Sequence, residues 1–217
     1  MITKGISFDE THSYHDLNLI LSAVQIPPAK PKTKYIDIPG ADGSLDLSEA
    51  LGEIKYSDRE CSFTFTMLPT DFTTWEEKQT EVSNLLNGKE VKIVLDKDDE
   101  YFYKGRCTVD SYSEKKKIRQ IVVKAKVHPF KYKTYETTVS YALTTTAKTI
   151  YLTNGRKTVS PTITCTADNT TVEIGGSVFK LNAGTHKILD IQLKQGGNQL
   201  SVAGSGTVTF SYQEGDL

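Results

Sequence analysis

Few residues in this chain could do chemistry, and they are widely separated. The 217 residues hold four histidines, His12, His15, His128 and His186, and three cysteines, Cys61, Cys107 and Cys165. An imidazole can serve as a general base or metal ligand and a thiolate as a nucleophile or zinc ligand, but each needs partners at set spacings. His12 and His15 lie three apart on a segment that reads as extended, which points them to opposite faces, and no cysteine or carboxylate stands at a zinc-like spacing from either. The cysteines are odd in number and sit in alternating apolar or β-branched contexts, so they read as buried free thiols. Asp96-Lys97-Asp98-Asp99-Glu100 starts like an EF-hand calcium loop. Its sixth position is Tyr101 where glycine is required, and its twelfth is Cys107 where a bidentate glutamate is required. A solvated hairpin turn accounts for the run. Neither Gly-x-Ser-x-Gly nor Gly-x-x-x-x-Gly-Lys-Ser/Thr occurs, which leaves a serine hydrolase or nucleotide enzyme without local support. The expectation is a non-enzyme with no catalytic residue, no cofactor and no resident metal.

The elements that would carry any site are mainly β. Lys plus Arg total 26 against 27 Asp plus Glu, a net charge of −1, so no positive excess is available to grip phosphates and no specific nucleic-acid binding is expected. No apolar run suits a signal peptide or a bilayer span, and with unpaired cysteines this reads as synthesis and folding in a reducing cytoplasm, without a membrane. Leu17, Leu19 and Leu21 suggest a first strand, broken by Pro27-Pro28-Ala29-Lys30-Pro31, a stiff extended connector. In Cys61-Ser62-Phe63-Thr64-Phe65-Thr66-Met67 the apolar and hydroxyl residues alternate, the period of a half-buried strand. One helix is expected from about Thr74 to Leu86, opened by Thr73 or Thr74 with Glu76 or Glu77, closed by Asn87-Gly88, with Trp75, Val82, Leu85 and Leu86 inward. Strands follow at Val91 to Leu95, Tyr101 to Val109 and around Ile121 to Val127. After His128-Pro129-Phe130 comes a Thr-rich tract, Thr134 to Thr149, low in apolar content, which reads as a connector, and a domain boundary is placed there, giving 1–133 and 134–217. Beyond it, short strands punctuated by Gly and Asn turns, one of them near Lys187 to Leu193, read as a β-sandwich, with Gly175-Gly176 as the clearest hairpin. Phe179, Phe210 and Tyr212 read as its core aromatics, and Lys115-Lys116-Lys117 as a solvated turn.

Several motifs, in their order, carry a resemblance. Pro39-Gly40-Ala41-Asp42-Gly43-Ser44-Leu45-Asp46-Leu47, followed by Arg59-x-x-x-Phe63-x-Phe65, the Trp75 helix and His128-Pro129-Phe130, resembles the N-terminal domain of siphophage distal tail (Dit) proteins. Asn154-Gly155, Ser160-Pro161-Thr162-Ile163, Gly196-Gly197-Asn198 and the run from Gly206 to Leu217 resemble their terminal domain. The resemblance implies a structural protein of the virion tail tip of a long, non-contractile-tailed phage. Its N-terminal β-barrel-like domain with one helix would assemble six copies into a ring around a DNA channel. Its C-terminal galectin-like β-sandwich would project outward.

The partners so implied are further copies of the chain, the tail tube protein, the tail-associated hub protein and the receptor-binding or baseplate proteins. The loop of Pro39, Gly40, Asp42, Gly43 and Asp46 is a candidate inter-subunit contact, as ring proteins often hand a protruding loop to a neighbour. Turn capping is the plainer role for its acids. The alternative function is a carbohydrate-binding adhesin using the C-terminal sandwich, against which stands the placement of the sole tryptophan, Trp75, in the other half.

Overall fold

The computed structural model describes residues 5–50, 52–67, 74–115 and 118–217. The chain divides into two compact units, Met1–Lys131 with Leu217, and Tyr132–Asp216. The first contains β1 (Ile6–Phe8), β2 (Thr11–His12), β3 (Leu19–Gln25), β4 (Tyr35–Asp37), β5 (Ser44–Asp46), β6 (Arg59–Met67), α1 (Trp75–Leu86), β7 (Glu90–Leu95), β8 (Asp98–Lys115) and β9 (Ile118–Val127). Its main sheet is antiparallel in the order β2-β1-β7-β8-β9-β6-β3.

The alternation of β6 decides which face of this sheet is covered. Cys61, Phe63, Phe65 and Met67 are buried while Ser62, Thr64 and Thr66 stay partly exposed on the other side. Ile121, Val123, Ala125 and Val127 of β9 and Ile93 and Leu95 of β7 join them. Phe8 meets Phe63 and Phe65 edge-on, with ring centroids 6.4 and 6.0 Å apart. Burying each such aromatic is worth about 2–3 kcal/mol by area, so the cluster outweighs any single polar contact around it. Arg59 takes the first inward position of the same strand and is only 6% exposed. Its guanidinium donates to the Pro129 carbonyl, with Nε at 2.7 Å, and lies over the Tyr103 ring at 5.8 Å. His128-Pro129-Phe130 is thereby tied to the start of β6, helped by the edge contact of Phe130 with Tyr56 at 5.8 Å.

Helix α1 begins at a full capping box, in which Thr74 Oγ1 accepts from Glu77 N at 3.2 Å and Glu77 Oε2 accepts from Thr74 N at 3.0 Å. Of the alternatives left open by the sequence, Thr74 with Glu77 is the pair used; Thr73 lies outside the described residues. Trp75, Val82 and Leu86 face inward, as does Lys78, 3% exposed, whose ammonium reaches Glu81 at 2.7 Å. Trp75 meets Tyr112 of β8 at 6.1 Å, and the Tyr112 hydroxyl donates to Gln79 O at 3.0 Å, which fixes the helix on the distal half of the β8–β9 hairpin.

From the boundary onward come β10 (Lys131–Lys133), which begins at the last residue of the first unit's main segment, and then β11 (Thr137–Ala142), β12 (Lys148–Asn154), β13 (Thr162–Cys165), β14 (Thr170–Ile174), β15 (Ser177–Leu181), β16 (Gly184–Lys187), β17 (Gly196–Ala203), β18 (Thr207–Tyr212) and β19 (Gly215–Asp216) of the second unit. Two four-stranded sheets, β11-β18-β13-β16 and β12-β17-β14-β15, enclose a core that includes Ile163, Val172, Ile191, Leu200 and Phe210. At the β14–β15 turn, Gly175 and Gly176 have φ of 57° and 83°, the two successive positive angles of a type I′ hairpin. Asn154 is buried, and its Nδ2 donates to Lys157 O and Leu193 O at 2.8 Å each. Beside it Gly155 leaves no room for a side chain, because a Cβ there would stand 2.8 Å from Gly215 O.

Two expectations need correction. The Thr-rich tract is not a bare connector: Thr137–Ala142 is the edge strand β11, paired with β18. One apolar residue in two suffices, since Val139 and Tyr141 pack on the core while Thr138 and Ser140 hydrogen-bond Ser211 and Thr209 across the outer face at 3.2 and 2.8 Å. The strand read at Lys187 to Leu193 lies earlier, at β16, and the chain beyond is held by the bridge of Leu193 to Val159.

Gly105 gives the sharpest test of this fold. A Cβ at this position in β8 would fall 2.2 Å from Lys126 O and 2.5 Å from Val127 Cα, both backbone of β9. Gly105→Ala should destabilise the protein by about 1–3 kcal/mol, the range for overpacking. Gly43→Ala, where a Cβ meets nothing but φ is +73°, should lose less overall stability and chiefly disturb its local turn. A denaturant titration showing Gly105→Ala as stable as wild type would contradict the β8–β9 packing.

Candidate functional site

Between Gln25 and Arg59 the chain leaves the first unit's sheet and returns, forming an arm whose residues 30–46 are exposed throughout. Its root is pinched by a bridge between Pro31 and Tyr56 and by Lys32 N to Lys55 O at 2.7 Å and Ser57 N to Lys30 O at 2.9 Å. Further out, Leu47 N donates to Lys34 O at 2.8 Å, and then β4 pairs β5 with Ile36 opposite Leu45. The prolines favour an extended entry, and the ladder keeps the two sides together.

All five residues singled out from sequence lie on this arm. Pro39, Gly40, Asp42 and Gly43 form the tip; Gly40 and Gly43 take φ of 82° and 73°, so each is required by backbone conformation, with open space where a Cβ would stand. Asp46 Oδ1 accepts Ser48 N at 2.8 Å, and hydrogen bonds from the Ser48 side chain, then its backbone, hold its carboxyl below the usual value. Asp37 Oδ1 similarly accepts the Ser44 hydroxyl at 2.6 Å. The acids therefore shape the arm, while its large apolar residues stay about half exposed. Tyr35, Ile36, Ile38 and Leu45 are 59, 43, 47 and 49% exposed. These four were missed by the sequence reading, although a β-branched and aromatic run flanking a Gly-rich turn is a hairpin signal. A two-stranded ribbon is at best marginally stable alone, and exposed apolar clusters mark contact sites.

The other candidate residues have structural partners. His12 and His15, expected on opposite faces, have ring centroids 4.5 Å apart, because the chain turns after β2 instead of continuing extended. His12 Nδ1 accepts the backbone N–H groups of Tyr14 and His15 at 3.1 Å each, which leaves Nε2 to donate to Asp96 Oδ1 at 3.1 Å. Asp96 Oδ2 also accepts Gly5 N at 2.7 Å, and Asp98 accepts the Lys131 ammonium at 2.7 Å. The acidic run is thus the β7–β8 turn, with two of its carboxylates holding neighbouring segments. Among the described residues no group of three or more His, Cys, Asp or Glu is placed to hold a metal ion. Of Lys115-Lys116-Lys117, the last two lie outside the described residues. Phe210 and Tyr212 are buried and Phe179 partly so, whereas Tyr151 is 65% exposed.

No protein-family model matches the chain, and no curated protein sequence matches it. Among solved structures, it is similar to the crystal structure of the Dit (gp 19.1) protein of phage SPP1, with a TM-score of 0.71 and 16% identity over 99% of both chains. The chain has the Dit fold. The SPP1 protein is described as a paradigm of the hub adsorption apparatus in phages that infect Gram-positive bacteria. At this identity the likeness carries the fold, and the mainly β architecture with one helix agrees with it.

The thiols provide a test of how closed the sheet is. Cys61 and Cys107 both oppose Ala125, one on each side of β9, which sets their Cα atoms about 10 Å apart, beyond disulfide reach. Burial pushes the Cys61 thiol up to about 11 against the pull of Arg59, and the Cys107 thiol up to about 12. Cys165 is raised by burial as well. At pH 8 a thiol-specific reagent should leave all three unmodified until denaturant is added. A folded-state pKa raised above the usual 9.0 favours the neutral thiol, so this stabilisation is complete below pH 9 and is lost as pH rises through about 11 and 12. Rapid labelling of native Cys61 or Cys107 would mean that the wall formed by β6, β9 and β8 opens.

Proposed function

We propose that this chain is the structural distal tail protein of a long, non-contractile-tailed phage, forming a hexameric ring that joins the tail tube to the baseplate and host-recognition apparatus. The observation that carries the reading is likeness to the SPP1 Dit protein over the full length of both chains, at a TM-score of 0.71. The ordered motifs of both halves support it. The protein acts by assembly, not catalysis, as a virion component at the tail tip. Its partners are its own copies, the tail tube protein, the tail-associated hub protein and receptor-binding or baseplate proteins.

Closed rings need a heterologous interface, one patch of each subunit meeting a different patch of the next, and stable pairs bury roughly 800 Å² per partner. The arm with Pro39, Gly40, Asp42, Gly43 and Asp46 at its tip supplies one such patch. Its apolar side chains would leave water only against another chain. Light scattering at micromolar concentration should give a mass several-fold above the monomer, with closed rings by electron microscopy. Ile36→Asp together with Leu45→Asp should reduce that mass to the monomer's with the melting transition retained, since both side chains are exposed within the subunit. A wild-type protein that stays monomeric at all concentrations would overturn the ring.

In this reading residues 1–133 build the ring and residues 134–217, a galectin-like sandwich, form an outward docking platform. Each unit has its own apolar core. A fragment of residues 1–133 should still oligomerise, and one of residues 134–217 should be monomeric and fold cooperatively. Ring formation by the C-terminal fragment alone would reverse these roles. A second reading, sugar binding by the sandwich, has Tyr151 in its favour, exposed and paired with Gln199, and specific glycan-array binding by the C-terminal fragment would support it.

A further inference from the structure

The main sheet of the first unit ends in two unequal edges. β2 has two residues, while β3 has seven, Leu19-Ile20-Leu21-Ser22-Ala23-Val24-Gln25, without a charge or a proline. An edge strand presents unpaired N–H and C=O groups, and natural proteins guard such edges with lysine, proline, bulges or cover. β3 has only the bulge at Ser22. Among the described residues no strand pairs with its outer side. Instead a cleft of about 270 Å³ lies between Leu21–Val24 and the segment formed by Gly5 and Leu95–Lys97.

We propose that β3 is the acceptor edge for the arm of a second copy of this chain, which adds to it as a further strand and seats Ile36, Ile38 or Leu45 against the cleft. Main-chain pairing would supply affinity, and the apolar side chains would set the register. Two observations select this occupant. The arm's extended side from Lys32 to Ile38 matches the seven residues of β3, about 23 Å at strand rise. Within one chain β4 pairs only with β5 and their side chains stay exposed, so the arm does not occupy its own β3. The inference rests on the ring reading and specifies the surface that receives the arm.

Inter-chain disulfide trapping tests it. Ala23→Cys and Ile38→Cys are made in separate full-length chains, both positions being exposed and the native cysteines buried. On mild oxidation the mixture should yield a disulfide-linked heterodimer absent from wild type, and Leu45→Cys should cross-link in place of Ile38→Cys if the other side of the ribbon is apposed. Ala23→Lys, which places a charge on the edge, should lower the assembled fraction at least ten-fold with the melting temperature unchanged. If oligomers form but neither cysteine pair cross-links and Ala23→Lys assembles normally, β3 is not the acceptor although the ring reading stands. If wild type is monomeric at every concentration, the ring reading fails and this inference falls with it.

Discussion

Side chains alternate along a strand, so Cys61, Phe63, Phe65 and Met67 must all leave water on the same side of β6, and the rest of the first unit is arranged to receive them. β9 answers with Ile121, Val123, Ala125 and Val127 at matched register. Phe8 and α1 close over the same face. The hydroxyl face of β6 follows from the same rule: once Phe63 and Phe65 point inward, Ser62, Thr64 and Thr66 must point out. Arg59 extends the pattern by one more inward step. Its guanidinium needs an acceptor because it is out of water, and the Pro129 carbonyl, whose residue has no N–H to join a ladder, is available to provide it.

The arm inverts that logic. Within the sheet every large apolar residue of β6 is buried, whereas Tyr35, Ile36, Ile38 and Leu45 stay about half exposed in their own chain. A hairpin of two three-residue strands gains too little from its ladder to offset the entropy of ordering it. Its turn glycines, the Asp46–Ser48 and Asp37–Ser44 hydrogen bonds and the pinched root supply order that would otherwise have to be provided on docking. That preorganisation is expected of a segment whose work is to bind.

Legibility in the sequence followed the number of partners that each signal needed. The β6 strand and α1 with its cap were readable because period and capping are local, and Gly175-Gly176 because two adjacent glycines state the turn. β11 was not readable, since its polar residues are justified only by Ser211 and Thr209, some 70 residues away. The His12–His15 contact failed for a related reason, a two-residue strand giving way to a turn that Ser13 stabilises through Ile6 N at 3.1 Å. At the candidate site, the glycines and aspartates of the tip were visible, but they are the part that shapes the arm. The residues suited to binding were overlooked because alternation alone cannot tell a strand facing its own core from one facing another molecule.

The position of the arm bears on how force would pass through an assembly. It is rooted at the end of β3, so the strand proposed to receive a neighbour's arm is also the strand from which the subunit's own arm departs. Load entering at the edge would run along β3 and out through Pro27–Pro31 to the next subunit, without crossing the helix or the second unit. β3 is in turn bonded to β6, whose inward side chains are buried in the core of the first unit, and β6 to β9. Hydrogen bonds loaded along the strand direction share the load across a ladder, whereas those at a peeling end break one at a time. A ring joined in this way would thus draw its strength from the ladder that is backed by the core of the first unit.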